Sequence, residues 1–206
     1  MSTILMGRAE DTRLDPAAVD GMFALRHTVF HDRLGWDVDS RGGRERDRYD
    51  DLDPIYMIVR RKPSGVEGCW RLLPTTGSYM LRDTFPELLD GEAAPCDPRV
   101  WELSRFALAP VSRDDRRQAH FGETTFAMMQ QVVQYAEDHG IDAYVTVTSV
   151  ALERMLRRAG IPLRRFGAGR ARRIGRVMSV ACWIPIDEAC HEAVWGGAPM
   201  GVESAA

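Results

Sequence analysis

Two short segments place ionised side chains among apolar ones. Gly68-Cys69-Trp70-Arg71-Leu72-Leu73-Pro74-Thr75-Thr76 is followed about thirty residues later by Val100-Trp101-Glu102-Leu103-Ser104-Arg105-Phe106, and each half has the character of a β-strand. Arg71 sits beside Trp70 and Leu72, while Glu102 and Arg105 sit among Trp101, Leu103 and Phe106. Charges in strands this apolar are costly to bury unless paired or used. One isolated charge would be a structural salt bridge. Three in two strands, with further acids upstream, point to a site. A carboxylate between Trp101 and Leu103 has the setting of a general base, because desolvation raises its pKa. Arg71 or Arg105 close by would hold it ionised.

The elements that must position these groups follow from pattern and turn signals. Residues 2–6 suit a short first strand. Asp15-Pro16 is a helix start, with Asp as N-cap and Pro at the first helical position. Val19, Met22, Phe23, Leu25, Val29 and Phe30 continue an apolar stripe to about residue 33. Residues 37–54 are charged and poor in core residues, and are expected to be a mobile loop ordered by ligand. Ile55 to Arg60 and Val66 to Leu73 are predicted strands joined by the turn Lys62-Pro63-Ser64-Gly65. A short helix is expected near 79–89 and a strand from Val100 to Leu108. Gly122 to His139 is amphipathic and closed by Gly140. Ala143 to Thr148 is a β-branched strand, Ala151 to Ala159 a helix stopped by Gly160, and Val177 to Ile186 a late strand. The small, polar tail after Trp195 is expected to be disordered. No repeat or linker divides residues 1–206, so a single α/β domain around one mixed sheet is expected.

Composition narrows the function classes. The chain has 206 residues, 45% of them hydrophobic, enough for a full core. A formal net charge of -3 gives no reason to expect nucleic acid. Cys69, Cys96, Cys182 and Cys190 are scattered without metal-ligand spacing, so no metal and a reduced, cytoplasmic protein are expected. The N-terminus has no signal-peptide pattern, and no apolar run reaches the roughly 20 residues of a membrane span. His27, His31, His120, His139 and His191 form no triad-like pattern.

The charged segments resemble the signature blocks of the LuxI-type acyl-homoserine-lactone synthases, also called autoinducer synthases. Leu25-Arg26-His27-Thr28-Val29-Phe30 leads to Gly35-Trp36-Asp37-Val38, and Glu45-Arg46-Asp47-Arg48-Tyr49-Asp50 is similar to the family's E-x-D-x-Y-D. Tyr79-Met80-Leu81-Arg82-Asp83-Thr84-Phe85-Pro86-Glu87-Leu88-Leu89 also fits, with Ser78 where many members have proline. The resemblance is looser in the C-terminal half, through Val145-Thr146-Val147-Thr148 and the helix from Glu153 to Gly160. It implies an acetyltransferase-like (GNAT) three-layer sandwich around a mixed, mostly antiparallel sheet. It also implies a reaction. An acyl thioester, on acyl carrier protein or alternatively coenzyme A, acylates the amine of S-adenosylmethionine. The methionine carboxylate then closes the lactone and expels methylthioadenosine. S-adenosylmethionine is then a substrate, and no cofactor is implied.

Residue roles follow from the resemblance. Glu102 would be the base, directly or through water. Arg26, Arg71 and Arg105 would grip the methionine carboxylate and order the loop. Asp47 and Asp50 would attract the cationic substrate or pair with those arginines. Phe30, Trp36 and Phe106 would wall the adenosine and face the sulfonium. Thr146 and Thr148 alternate with valines and so share a strand face, with Thr148 the better match to the threonine associated with 3-oxo acyl chains. Met128, Met129, Met155 and Leu156 would line an acyl tunnel. The segment 113–122 precedes a helix, carries only a weak Gln118-x-x-x-Gly122 echo of a pyrophosphate loop, and so favours a carrier protein. Nine arginines within residues 154–176, led by Arg154 and Arg158, form a basic stretch suited to an acidic carrier protein. The rivals are a GNAT-type acyltransferase for another amine and a non-catalytic binding module with the same fold.

Overall fold

The computed structural model describes residues 2–12, 14–61, 65–109 and 120–196, with side chains from residue 123 onward in the last stretch. The predicted turn at 62–64, most of the segment 113–122 and the tail beyond 196 lie outside the described residues.

Asp15 starts the first helix as predicted. Its carboxylate accepts from the Ala17 backbone N–H at 2.9 Å, and Pro16 opens α1, Pro16–Arg26. The helix runs straight into a wider π-helical segment, His27–Arg33. Such widening is rare and concentrates at functional sites.

The strands are β1 Ser2–Gly7, β2 Ser40–Arg41, β3 Arg44–Glu45, β4 Ile55–Arg61, β5 Gly65–Pro74, β6 Val100–Leu108, β7 Ala143–Ser149, β8 Arg164–Arg165, β9 Arg172–Ile174 and β10 Val177–Pro185. The helices after α1 are α2 Met80–Asp83, α3 His120–His139, α4 Val150–Arg158 and α5 Glu188–Trp195, with 3-10 turns at Arg48–Leu52 and Pro86–Leu89. The large sheet runs β1-β4-β5-β6-β7-β10-β8, with β9 also on β10. Its pairs are antiparallel except β6 with β7, which is parallel.

Strand alternation sorts the core into layers. Met57, Val59, Trp70, Leu72, Leu103 and Leu108 pack with Met128, Val132 and Val133 of α3 and Leu156 of α4. The intervening Tyr56, Ile58, Cys69 and Ala107 face the other way, onto Ala18, Met22 and Leu25 of α1. Helices therefore cover both faces, in the expected α/β sandwich. Among the described residues no helix is long and apolar enough to cross a membrane. All four cysteines are free thiols, with only Cys96 exposed.

The expected loop over 37–54 is not a loop. It forms the β2–β3 hairpin and the 3-10 turn, and it buries Glu45, Tyr49 and Asp50. A charged, core-poor stretch suggested mobility, but these acids are paired inside the protein and fix the segment. Strands β8 and β9 and helix α5 were also missed. The first two are too short for periodicity to reveal.

Candidate active site

The site begins where two strands part. β6 and β7 pair from Val100 opposite Ala143 to Leu103 opposite Thr146, and then stop pairing. Beyond that point Ser104, Arg105, Phe106 and Leu108 on one strand, and Val147, Thr148 and Ser149 on the other, line a cavity of about 400 Å³. The π-helical segment supplies a wall with Val29, Phe30 and Arg33, followed by Leu34 and Trp36. Met80 and Phe85 and the α4 residues Leu152 and Met155 complete much of the rest. Glu102 also reaches the lining although it is only 1% exposed.

A β-bulge aims Arg105. Ser104 pairs with Arg71 and Ala107 with Cys69, so Arg105 and Phe106 together stand opposite the single residue Trp70. Arg105 takes a positive φ of 57°, a conformation that favours glycine. The Cys69 thiol takes up the Arg105 carbonyl at 3.6 Å. Strict alternation would set Arg105 on the face opposite Glu102 and Ser104. The bulge brings it to their face, while Phe106 turns to stack edge-on with Trp70 at 5.0 Å.

Behind the cavity lies a buried ion cluster. Arg26 donates from Nε to Glu45 at 2.5 Å and from both terminal nitrogens to Asp50 at 2.8 and 2.9 Å. Arg71 bridges Asp47 and Asp50, donating to each, and gives its Nε to the Ser104 hydroxyl at 3.1 Å. Arg105 meets Glu45 at 2.8 Å and Asp47 at 2.7 Å. The Tyr56 hydroxyl donates to Asp50 at 2.8 Å. Three guanidinium groups thus meet three carboxylates, and the charges cancel inside the set. Burial opposes ionisation of Asp50, but Arg26 and Arg71 outweigh it and hold that carboxyl well below the usual range. Burial likewise lowers Arg105, against the opposing pull of Glu45 and Asp47.

Glu102 adjoins this cluster through Ser104 and Arg71, but its closest partners lie elsewhere. Sequence reasoning put Arg71 or Arg105 against it, but its two oxygens accept the backbone N–H groups of Met80 at 3.0 Å and Leu81 at 2.7 Å. It caps the first turn of α2 from the neighbouring strand, where Tyr79 offers no side-chain cap. Desolvation raises its pKa, and the two N–H groups, more than Arg71, limit the rise. A buried carboxyl with a raised pKa at a cavity wall can exchange a proton with a bound ligand.

The remaining predicted residues divide. Phe30 and Trp36 stack at 5.1 Å, and the Arg105 guanidinium lies 5.1 Å from the Phe30 ring centroid. The buried Trp36 indole N–H has no hydrogen-bond partner within the protein. Arg26, Arg71, Asp47 and Asp50 do not line the cavity; they bond to one another, the pairing that the sequence offered as the second role for Asp47 and Asp50. Thr148 lines it, whereas the buried Thr146 does not. A second cavity of about 170 Å³ lies between α3 and α4, lined by Met129, Met155 and Leu156 among others. Met155 belongs to both cavities. Met128 lines neither and packs in the core beside Gly68.

Much of the basic stretch is spoken for. Glu153 binds Arg157 and Arg165, Glu92 binds Arg164, and Asp90 lies 3.9 Å from both Arg170 and Arg172. Arg154 and Arg158 stay exposed on α4 with no acidic partner among the described residues. Sequence reasoning gave no role to Glu45 or Ser104, which complete the cluster. Glu45 was legible as the first acid of the E-x-D-x-Y-D block, whereas Ser104 carried no signal beyond its place in the strand.

The family profile for autoinducer synthases matches residues 10–194. The acyl-homoserine-lactone synthase of Pseudomonas aeruginosa is 40% identical over 196 residues, covering 94% of each chain. The solved structure of the acyl-homoserine-lactone synthase LasI superposes with a TM-score of 0.86 at 39% identity, covering 98% of each chain. BjaI, a coenzyme A-dependent synthase solved with S-adenosylmethionine and isopentyl-CoA, has a TM-score of 0.79 at 26% identity, over 94% of this chain and 88% of its own. The chain belongs to the autoinducer synthase family, acyltransferases that make acyl-homoserine-lactone signals for quorum sensing.

Proposed function

We propose that the 400 Å³ cavity holds S-adenosylmethionine and the acyl thioester together, with Glu102 as base and a carrier protein as acyl donor. The observation that carries this reading is the parting of β6 from β7 beside a buried, cavity-facing carboxylate with a raised pKa. The neutral amine attacks the thioester carbonyl and the C–S bond breaks. The amine proton passes to Glu102, directly or through water, and on to the departing thiolate. The methionine carboxylate then attacks its own γ-carbon, and the electron pair of the second C–S bond leaves on methylthioadenosine. That step needs mainly positioning, because a sulfonium is already a good leaving group.

Phe30, Trp36 and Phe106 form the apolar side of the substrate pocket. Arg105 is the arginine best placed to meet the methionine carboxylate. Arg26, Arg71, Asp47 and Asp50 act as its support rather than as contacts. The acyl chain runs past Thr148 and Met155 towards the second cavity, which suits a medium to long chain with a 3-oxo group read by Thr148. The exposed pair Arg154 and Arg158 supports docking of an acidic acyl carrier protein. Both substrates and the four free thiols suit the cytoplasm.

Purified protein given S-adenosylmethionine and acyl-acyl carrier protein should release an acyl-homoserine lactone and methylthioadenosine in equal amounts. Acylation of another amine without methylthioadenosine, across a panel of thioesters, would refute the reading.

A further inference from the structure

The π-helical segment shows the cavity Val29, Phe30 and Arg33, but three of its other side chains gather elsewhere. One ligand atom each from His27, His31 and Asp32 lies within 4.8 Å of the others. His31 Nδ1 is 2.8 Å, and His27 Nε2 3.5 Å, from the same oxygen of Asp32. The two imidazoles stack with centroids 4.8 Å apart.

A hydrogen-bond chain anchors the His27 ring. Its Nδ1 lies 2.5 Å from the Ser40 hydroxyl oxygen, and that hydroxyl donates to the Arg44 backbone carbonyl at 3.1 Å. Ser40 thus links the His27 ring, through Nδ1, to the backbone of the β2–β3 hairpin. Nε2, on the far side of the anchored ring, faces a carboxylate oxygen of Asp32. That leaves Nε2 and the carboxylate positioned to share a bound cation. Anchoring one imidazole nitrogen by a hydrogen bond is also how metal-ligating histidines are oriented.

We propose that His27, His31 and Asp32 form a site for a divalent transition-metal ion, with zinc the natural probe. Two imidazoles and a carboxylate suit zinc, copper or nickel, and water would fill the remaining positions. Metal–nitrogen bonds of about 2.0–2.1 Å require the donor atoms to draw in from their present spread. His31 and Asp32 are exposed and have room to do so. The bound ion ties the π-helical turn to itself. Through Ser40 it also ties that turn to the β2–β3 hairpin, which carries Glu45. Both ends of this clamp belong to the support of Arg105 and Phe30, so occupancy stiffens one wall of the cavity.

The test uses the untagged, metal-free full chain with Cys96→Ser, which removes the exposed thiol. Zn²⁺ is titrated in competition with a chromophoric chelator, and Cu²⁺ is followed by electron paramagnetic resonance. One equivalent of Zn²⁺ should bind with a Kd on the order of micromolar. His27→Gln and His31→Gln should each weaken it about tenfold or more, and Ser40→Ala by up to about tenfold through loss of ring orientation. The Cu²⁺ spectrum should carry coupling to two imidazole nitrogens, falling to one in either histidine variant. Thermal melting without metal confirms that the variants fold. Failure to bind one equivalent below a Kd of about 100 μM, on the order of 5 kcal/mol of affinity, would overturn the proposal. Affinity in both histidine variants equal to that of the parent protein would do the same, by placing the ion elsewhere.

Discussion

Asp50→Asn tests whether the ion cluster behaves as one neutral unit. The substitution keeps the size of the side chain but leaves three arginines against two carboxylates. Asp50 accepts from both terminal nitrogens of Arg26, from Arg71, from Tyr56 and from the Asp47 backbone N–H. An asparagine can offer one oxygen to these donors and turns its own N–H groups towards the rest. Arg26 and Arg71 are buried, so the surplus positive charge has little access to water. Breaking a buried pair from one side costs about 3–5 kcal/mol, a large share of the 5–15 kcal/mol typical of a whole domain. With an m-value of about 2 kcal/mol/M, the urea midpoint at pH 7 should fall by about 1.5–2.5 M. The acid side adds a second reading. The folded Asp50 carboxyl titrates below its unfolded value, so its stabilisation is complete above about pH 4 and is lost as pH falls through the folded pKa. Asp50→Asn should therefore flatten the fall in stability below pH 4. A midpoint shift under about 0.3 M, with an unchanged acid slope, would show that the cluster is solvated and that its neutrality is irrelevant.

Three further outcomes follow from the site. Glu102→Gln should cut methylthioadenosine release by roughly 10²-fold or more as the base is lost, and should cost about 1–3 kcal/mol because one α2 N–H then faces an amide donor; near-normal turnover would leave Glu102 with the capping role alone. Thr148→Val should lower the preference for 3-oxo over unsubstituted thioesters by roughly tenfold, as one hydrogen bond allows, while Thr146→Val, away from the cavity lining, should leave the ratio alone; a ratio unmoved by Thr148→Val rules out hydroxyl readout. Reversing Arg154 and Arg158 to glutamate should raise KM for acyl-carrier-protein substrates in a salt-dependent way and spare turnover at saturation, whereas equal losses with a short acyl-pantetheine would locate the effect in the fold.

The sequence showed the participants better than their arrangement. Glu102, Arg71 and Arg105 stood out because charge among Trp, Leu and Phe is energetically conspicuous. Most long elements followed from periodicity and from caps such as Asp15-Pro16. Residues 37–54 looked like a mobile loop, because composition cannot distinguish a carboxylate facing water from one facing a buried guanidinium, although pairing of Asp47 and Asp50 with the arginines was one of the roles the sequence offered. Arg71 does help hold Glu102 ionised, but its stronger partners escaped the reading for a related reason. Backbone N–H groups leave no trace in residue identity, so an arginine seemed the only available counterpart. The basic stretch shrank in the structure because Glu92 and Asp90, distant in sequence, come back to meet it. Met128 shows the limit of reading from side-chain type, since a methionine in plain packing has the same signature as one beside an acyl chain.

The bulge in β6 has a consequence for how this fold accommodates a site. Skip Arg105, and Phe106 would stand opposite Trp70, next to the pairs Ser104–Arg71 and Ala107–Cys69. Every apolar residue of the strand would still face its present layer. Arg105 is thus supernumerary to the ladder, a one-residue insertion that adds a cation to the cavity without displacing any member of the core. Change at this position is therefore decoupled from the sheet's own packing. Its cost falls on Glu45 and Asp47, which would lose one of the two arginines they share.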